Sequence, residues 1–247
     1  MAKTEWVTLD VEGNPPMKAF LAKPDKPGNY PGIIVFVEIF GVNQHIQEVT
    51  SRIAEEGYIA MAPNFYHRQA PDLNLGYTPE DIQIGRQYKT EVTHQDLLAD
   101  AEASIRYLHN LPECDPKDKL GTIGFCFGGY VAYLAATLPE VVVTVSLYGS
   151  GIVENALIDL TGKIHGYVFC GYGEKDSSIS AENIAAIDHA LEKAHVPHQI
   201  ITYAGADHGF FCDRRASYNP QAASQVWEEI KDLFASHLKA NVSCTAL

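Results

Sequence analysis

Two hydrophobic periods take turns along this chain. Residues 6–11 and 17–22 alternate polar and apolar positions around Gly13, Asn14, Pro15 and Pro16, which predicts an antiparallel hairpin at a sheet edge. Residues 32–37 are continuously apolar, the mark of a central strand buried on both faces. Ile46, Val49 and Ile53 then fall on one helical face, predicting a helix over 46–56 that stops at Gly57. The same exchange of periods predicts strands at 58–62, 120–125, 141–148, 167–170 and 199–203. It predicts helices at 94–111, 130–138, 181–194 and 221–238. Strands alternating with helices imply an α/β fold, with one mostly parallel sheet and helices on both faces. No repeat or linker interrupts the pattern, so residues 1–247 are expected to form a single domain, with 241–247 a frayed tail.

Residues 64–92 break the rhythm. They carry Tyr66, His67, Arg68, Tyr77, Arg86 and Tyr88 with weak periodicity. A segment of this length is expected to be functional or partly helical. It should lie over the carboxyl edge of the sheet, where open α/β sheets hold ligands.

Charge narrows the partners. Against 31 Asp and Glu stand 18 Lys and Arg, without a basic run, so nucleic acid and anionic membranes are not expected partners. No apolar run approaches the ~20 residues of a spanning helix, and residues 1–10 lack the apolar core of a signal peptide. Five widely spaced cysteines without a C-x-x-C pair suggest neither a disulfide framework nor a zinc cluster. A cytoplasmic setting, which keeps thiols reduced, is the expectation.

One stretch changes the picture from architecture to chemistry. Gly124-Phe125-Cys126-Phe127-Gly128 lies between a predicted strand and a predicted helix, in the G-x-C-x-G spacing of a nucleophile elbow with Cys in place of Ser. Such a turn strains its central residue and leaves no room for side chains at its flanks. It presents Cys126 at a helix N-terminus, where unpaired N–H groups favour a thiolate. Asp176 and His208 follow the next predicted strand ends, giving the chain order nucleophile–acid–base of α/β-hydrolases. His208 would take the thiol proton and return it to the leaving group, and Asp176 would orient the imidazole. Glu174 and Asp207 are competing acids. Glu38 ends a buried apolar run, where a carboxylate is costly unless paired. It could hydrogen-bond the Cys126 thiol from the neighbouring strand. Cys170, at another strand end, leaves open a redox partner for Cys126, as does Cys212.

The chain resembles the dienelactone hydrolase (carboxymethylenebutenolidase) family over nearly its whole length. The likeness rests on Glu38-Ile39-Phe40-Gly41-Val42-Asn43, on Ala62-Pro63-Asn64-Phe65-Tyr66 with Arg68-Gln69-Ala70-Pro71, on the elbow, on Asp176 and on His208-Gly209-Phe210. It implies an α/β-hydrolase fold and hydrolysis of an enol-lactone or ester through a thiol acyl-enzyme, without metal or organic cofactor. It implies a Cys126–His208–Asp176 triad, with Glu38 controlling the ionisation of Cys126. The oxyanion donors would be the backbone N–H groups of Phe127 and Ile39. The family's substrate carries a carboxylate held by arginines, for which Arg215, Arg86 and Arg68 are the candidates. Gly209 departs from the Ser of the dienelactone specialists. A carboxylesterase or thioesterase of the same fold, and a non-catalytic binding relative, are the competing expectations.

Overall fold

A computed structural model describes residues 1–115 and 119–239. Eight strands form one sheet: β1 (Lys3–Leu9), β2 (Met17–Lys23), β3 (Gly32–Phe36), β4 (Ile59–Pro63), β5 (Leu120–Phe125), β6 (Val141–Leu147), β7 (Tyr167–Gly173) and β8 (His198–Tyr203). Their spatial order is β1-β2-β4-β3-β5-β6-β7-β8. The β1–β2 hairpin is antiparallel and occupies one edge, as its alternation requires, and β2 pairs antiparallel with β4. Every other pairing is parallel. All five residues of β3 and all six of β5 are buried, which is why those runs are apolar without alternation.

Among the described residues there are six α-helices: α1 (Gln44–Glu55), α2 (Pro79–Thr90), α3 (His94–His109), α4 (Phe127–Ala135), α5 (Ala181–Lys193) and, after the last strand, α6 (Pro220–Phe234). The crossover β3–α1–β4 moves one way across the sheet, and β4–α3–β5 and β5–α4–β6 move the other way. Right-handed crossovers in opposite directions place α1 on one face and α3 and α4 on the other. α6 joins α1, whose Arg52 guanidinium lies 3.8 Å over the Trp227 ring. The reversal makes the carboxyl ends of β3 and β5 a topological switch point, the place where such sheets open a crevice.

Local chemistry sets the helix starts. Asn43 caps α1 by accepting from the Ile46 N–H at 3.3 Å, and Ile46, Val49 and Ile53 are buried behind it. Each of those side chains contributes roughly 1.5–3 kcal/mol by leaving water. Capping boxes start α2 (Thr78 with Asp81) and α3 (Thr93 with Asp96). α4 is buried on all sides, so it shows no amphipathic stripe. It begins at Phe127, three residues before the expected start, because Gly128 and Gly129 serve close packing and do not break the helix. A Cβ on Gly128 would lie 2.1 Å from the Phe36 carbonyl oxygen. A 3₁₀ segment, Leu157–Lys163, was not foreseen. The expected tail at 241–247 lies outside the described residues. Among the described residues no helix is long and apolar enough to cross a membrane.

Candidate active site

The register of the parallel strands brings the site together. Phe36 pairs with Gly124, so Glu38 and Cys126, each two residues further on, reach the same level on neighbouring strands. Phe125 pairs with Leu147, which puts Tyr148 beside Cys126. Cys126 has φ 54° and ψ −115° at the N-terminus of α4, and its amide donates to the Leu147 carbonyl at 3.0 Å. Such a backbone costs roughly 1–3 kcal/mol and persists where packing over-determines it. A Cβ on Gly124 would lie 1.8 Å from the Gly128 carbonyl oxygen, so the elbow closes only with glycine there.

His208 and Asp176 meet as expected, with Nδ1 2.7 Å from the Asp176 Oδ2. The Asp176 side chain is fully buried. Its Oδ1 accepts from the Ser178 amide at 2.9 Å and from the Ser178 hydroxyl at 2.5 Å. The same hydroxyl is 3.0 Å from His208 Nδ1. Burial alone would raise the Asp176 pKa, but the hydrogen bond and charge of His208 and the Ser178 donors hold it below the usual value. Burial alone would lower that of His208. The Cys126 charge, the Asp176 hydrogen bond and a hydrogen bond with Cys126 outweigh it and push His208 up to about 10. The competing acids are otherwise engaged. Glu174 accepts from the Gly205 amide at 2.7 Å, and Asp207 accepts from the His208 amide at 2.6 Å.

Glu38 is buried, but its partner differs from the one expected. Its Oε1 accepts from Arg215 Nη1 at 2.8 Å, and its Oε2 has no hydrogen-bond partner. The thiol contact expected from sequence is therefore not made. A guanidinium forms a charge-assisted bond about twice as strong as a neutral one, so it outcompetes a thiol for the carboxylate. Arg215 lies close to Gly209, whose φ is +78°; a Cβ there would sit 2.4 Å from the Arg215 Nη1. The rings of Phe40 and Tyr77 flank the guanidinium at 5.9 and 6.0 Å.

The other two arginines part company. Arg68 spends all three nitrogens: Nε donates to Asn14 at 2.7 Å, and Nη1 and Nη2 donate to Asp100 at 2.9 and 2.8 Å. It clamps the 64–71 segment onto α3, with three of the five N–H donors of its guanidinium engaged. Arg86 is exposed on α2. That helix packs on the site: a Cβ at Gly85 would lie 2.5 Å from the Ile39 carbonyl oxygen. Among the described residues, the amides of Phe127 and Ile39 donate to no carbonyl outside the regular elements. Phe127 is the first residue of α4, so it has no intrahelical acceptor either.

Sequence reasoning missed Tyr148 and Ser178. Tyr148 has φ 41°, a fully buried hydroxyl without a partner, and a ring edge-on to His208 at 5.3 Å. Its place after β6, beside the elbow strand, was the available signal. Cys170 is buried on β7, and burial pushes its thiol up to about 12, a poor setting for redox exchange. Cys212 is buried and donates to the Tyr77 hydroxyl at 3.3 Å.

The sheet, the strained elbow and the His208–Asp176 contact define an α/β-hydrolase. The sequence pattern of the Dienelactone hydrolase family matches residues 17–238, and the chain belongs to that family. A protein of Synechocystis sp., provisionally named a carboxymethylenebutenolidase, is 47% identical over 243 residues, covering 96% of this chain and 98% of its own. A crystal structure from Klebsiella pneumoniae, provisionally titled a dienelactone hydrolase, superimposes with a TM-score of 0.87 at 30% identity, over 96% of this chain and 100% of that one. The dienelactone hydrolase of Anabaena variabilis shares the fold at 16% identity, with a TM-score of 0.69 over 96% of this chain and 99% of that one. The chain is thus a hydrolase of ester or lactone bonds in small molecules.

Proposed function

We propose that the chain, acting as one domain, hydrolyses an enol-lactone or related ester through a thiol acyl-enzyme on Cys126. The observation that carries this reading is the strained Cys126 elbow at the N-terminus of α4, set beside a His208 already oriented by Asp176. His208, whose raised pKa suits it to hold the Sγ proton, takes that proton, and the thiolate sulfur attacks the carbonyl carbon. The developing oxyanion is received by the amides of Phe127 and Ile39. The C–O bond to the leaving oxygen breaks, and His208 returns the proton to that oxygen. A water then attacks the thioester, giving its proton to His208, and the acid leaves as Sγ is released and reprotonated. A single oxyanion donor is typically worth about 100- to 1,000-fold in turnover.

Arg215 is the donor suited to a substrate carboxylate, with Arg86 on α2 as a second. A carboxylate that takes Arg215 frees Glu38, and the freed Glu38 acts on the ionisation of Cys126. The 64–92 segment, including α2, covers this site. The experiment is loss of dienelactone absorbance with the parent and Cys126→Ala side by side. Loss with the parent only supports nucleophile and substrate class together; retained turnover in Cys126→Ala refutes the mechanism. Gly209, in place of the specialists' Ser, favours a second reading as an esterase or thioesterase on another metabolite. Cys126-dependent cleavage of a simple aryl ester without lactone turnover would select it.

A further inference from the structure

We propose that His45, Cys212 and Asp213 form a binding site for a thiophilic divalent cation of the zinc class, beside the hydrolytic site and separate from it. Their ligand atoms all lie within 4.8 Å of one another. His45 comes from the first turn of α1 and the other two from the loop after His208. The fold, not sequence spacing, brings them together, which is why no metal motif was visible. His45 is 4% exposed. Its Nδ1 faces the Asp213 Oδ1 at 3.6 Å, longer than a hydrogen bond. Its Nε2 is buried without any partner. Nδ1, the nitrogen turned toward Asp213, is thus free to take a ligand, while Nε2 lies on the far side of the ring.

The donor set selects the ion. One thiolate, one imidazole and one carboxylate suit Zn²⁺ and exclude Mg²⁺ or Ca²⁺, which want oxygen alone. Bond lengths of about 2.0–2.3 Å in a tetrahedron put ligand atoms about 3.3–3.8 Å apart. The site must close by about 1 Å from its widest separation. Asp213, whose side chain is 60% exposed, is free to move that far. A cavity of about 260 Å³ lined by His45, Glu48, Arg52, Phe211 and Asp213 adjoins two of the three ligands. Binding expels the Cys212 proton and forms the metal–sulfur bond, so one proton leaves per ion bound.

Occupation reaches the hydrolytic site through the loop. Taking the Cys212 sulfur removes its bond to Tyr77, which flanks Arg215. The Arg215 amide donates to the Cys212 carbonyl at 3.1 Å, and the Cys212 amide to the Gly209 carbonyl at 3.0 Å. The loop that moves thus carries Arg215 and follows directly on His208, so metal binding slows hydrolysis.

The test starts from Cys126→Ala, which removes the other thiol–imidazole pair able to take zinc. Co²⁺ titrated into this protein should give a thiolate-to-cobalt absorption saturating at one equivalent and bleached by Zn²⁺. Adding Cys212→Ser should abolish the band. Adding His45→Gln, with an unchanged far-ultraviolet spectrum, should weaken Zn²⁺ by at least ~10-fold, since even outer-shell partners are worth about 10–100-fold. No band in Cys126→Ala, or a band unaltered by Cys212→Ser, overturns the site. In the protein with Cys126 intact, Zn²⁺ should inhibit aryl-ester hydrolysis, and Cys212→Ser should need at least ~10-fold more. Equal inhibition of both would place the effect at Cys126 and overturn the coupling.

Discussion

Asp176→Asn is nearly isosteric, yet the hydrogen bonds around it dictate a large effect. Oδ1 receives two donors from Ser178, and one is a backbone N–H at 2.9 Å that cannot reverse its role. Asparagine must therefore keep its oxygen on Ser178. Its NH₂ then points at His208 Nδ1, where Oδ2 accepted at 2.7 Å. An NH₂ can only donate, so Nδ1 becomes the acceptor and the ring proton moves to Nε2. A ring with its proton on Nε2 cannot take one from Cys126. A well-placed general base is worth about 100- to 10,000-fold, and the same exchange in a serine triad costs about 10,000-fold. A thiol ionises more easily than a hydroxyl, so we expect a loss of about 100- to 1,000-fold in kcat/KM, shrinking as pH rises and hydroxide supplies the thiolate. Steady-state hydrolysis across pH, with nitrogen chemical shifts of the His208 ring, reads both halves of the argument. Because the fixed donor is a backbone N–H, Ser178→Ala added to Asp176→Asn should restore nothing. A loss under about threefold, or full inactivation with the proton still on Nδ1, refutes the reasoning.

Arg215→Ala leaves the Glu38 carboxylate buried with neither oxygen paired, and should cost about 3 kcal/mol or more in urea unfolding. Adding Glu38→Gln should recover much of that loss; if it recovers none, the ion pair is not what the arginine supplies. Gly209→Ala places a side chain at φ +78° and 2.4 Å from the Arg215 Nη1. It should destabilise by about 1–2 kcal/mol and lower the preference for carboxylate-bearing over neutral esters, measured as a ratio of kcat/KM values; an unchanged ratio would remove Arg215 from substrate binding. Asp176 is depressed in the fold, so its contribution to stability is present above its unfolded pKa and lost as pH falls through that value and below. Urea midpoints for Asp176→Asn should therefore fall less steeply than the parent's on the acid side of pH ~4; parallel curves would contradict this. Glu38→Ala should change the rate at which iodoacetamide alkylates Cys126 at neutral pH, and equal rates would show that Glu38 does not act on the thiol.

The succession of strands and helices and the strand-end placement of Cys126, Asp176 and His208 were legible because each depends on local rules. Apolar runs mark strands, glycine-rich turns mark their ends, and parallel strands deliver those ends to one edge. The glycines also misled. The strand expected to end at residue 170 runs on through Gly171 to Gly173, where a Cβ would lie 2.6 Å from the Ala206 carbonyl oxygen. Glycine there serves close approach, and a single sequence does not separate that use from a turn.

Pairing across long separations was not legible, and it governs the charged residues. Nothing local distinguishes Arg68, Arg86 and Arg215. Asp100 decides the first, because a fully buried carboxylate must be paired and the Arg68 fork matches it with two bonds. Glu38 was legible as a costly buried acid, but its partner lies 177 residues away, and the thiol two strand-ends along looked nearer. Ser178 failed for the opposite reason. It is two residues from Asp176, and its two donors depend on a turn too short to carry a pattern. That turn nonetheless holds one oxygen of Asp176 and leaves the other facing His208. Ser178 thus fixes in place the carboxylate that, as an acceptor only, sets the ring tautomer on which the proposed chemistry depends.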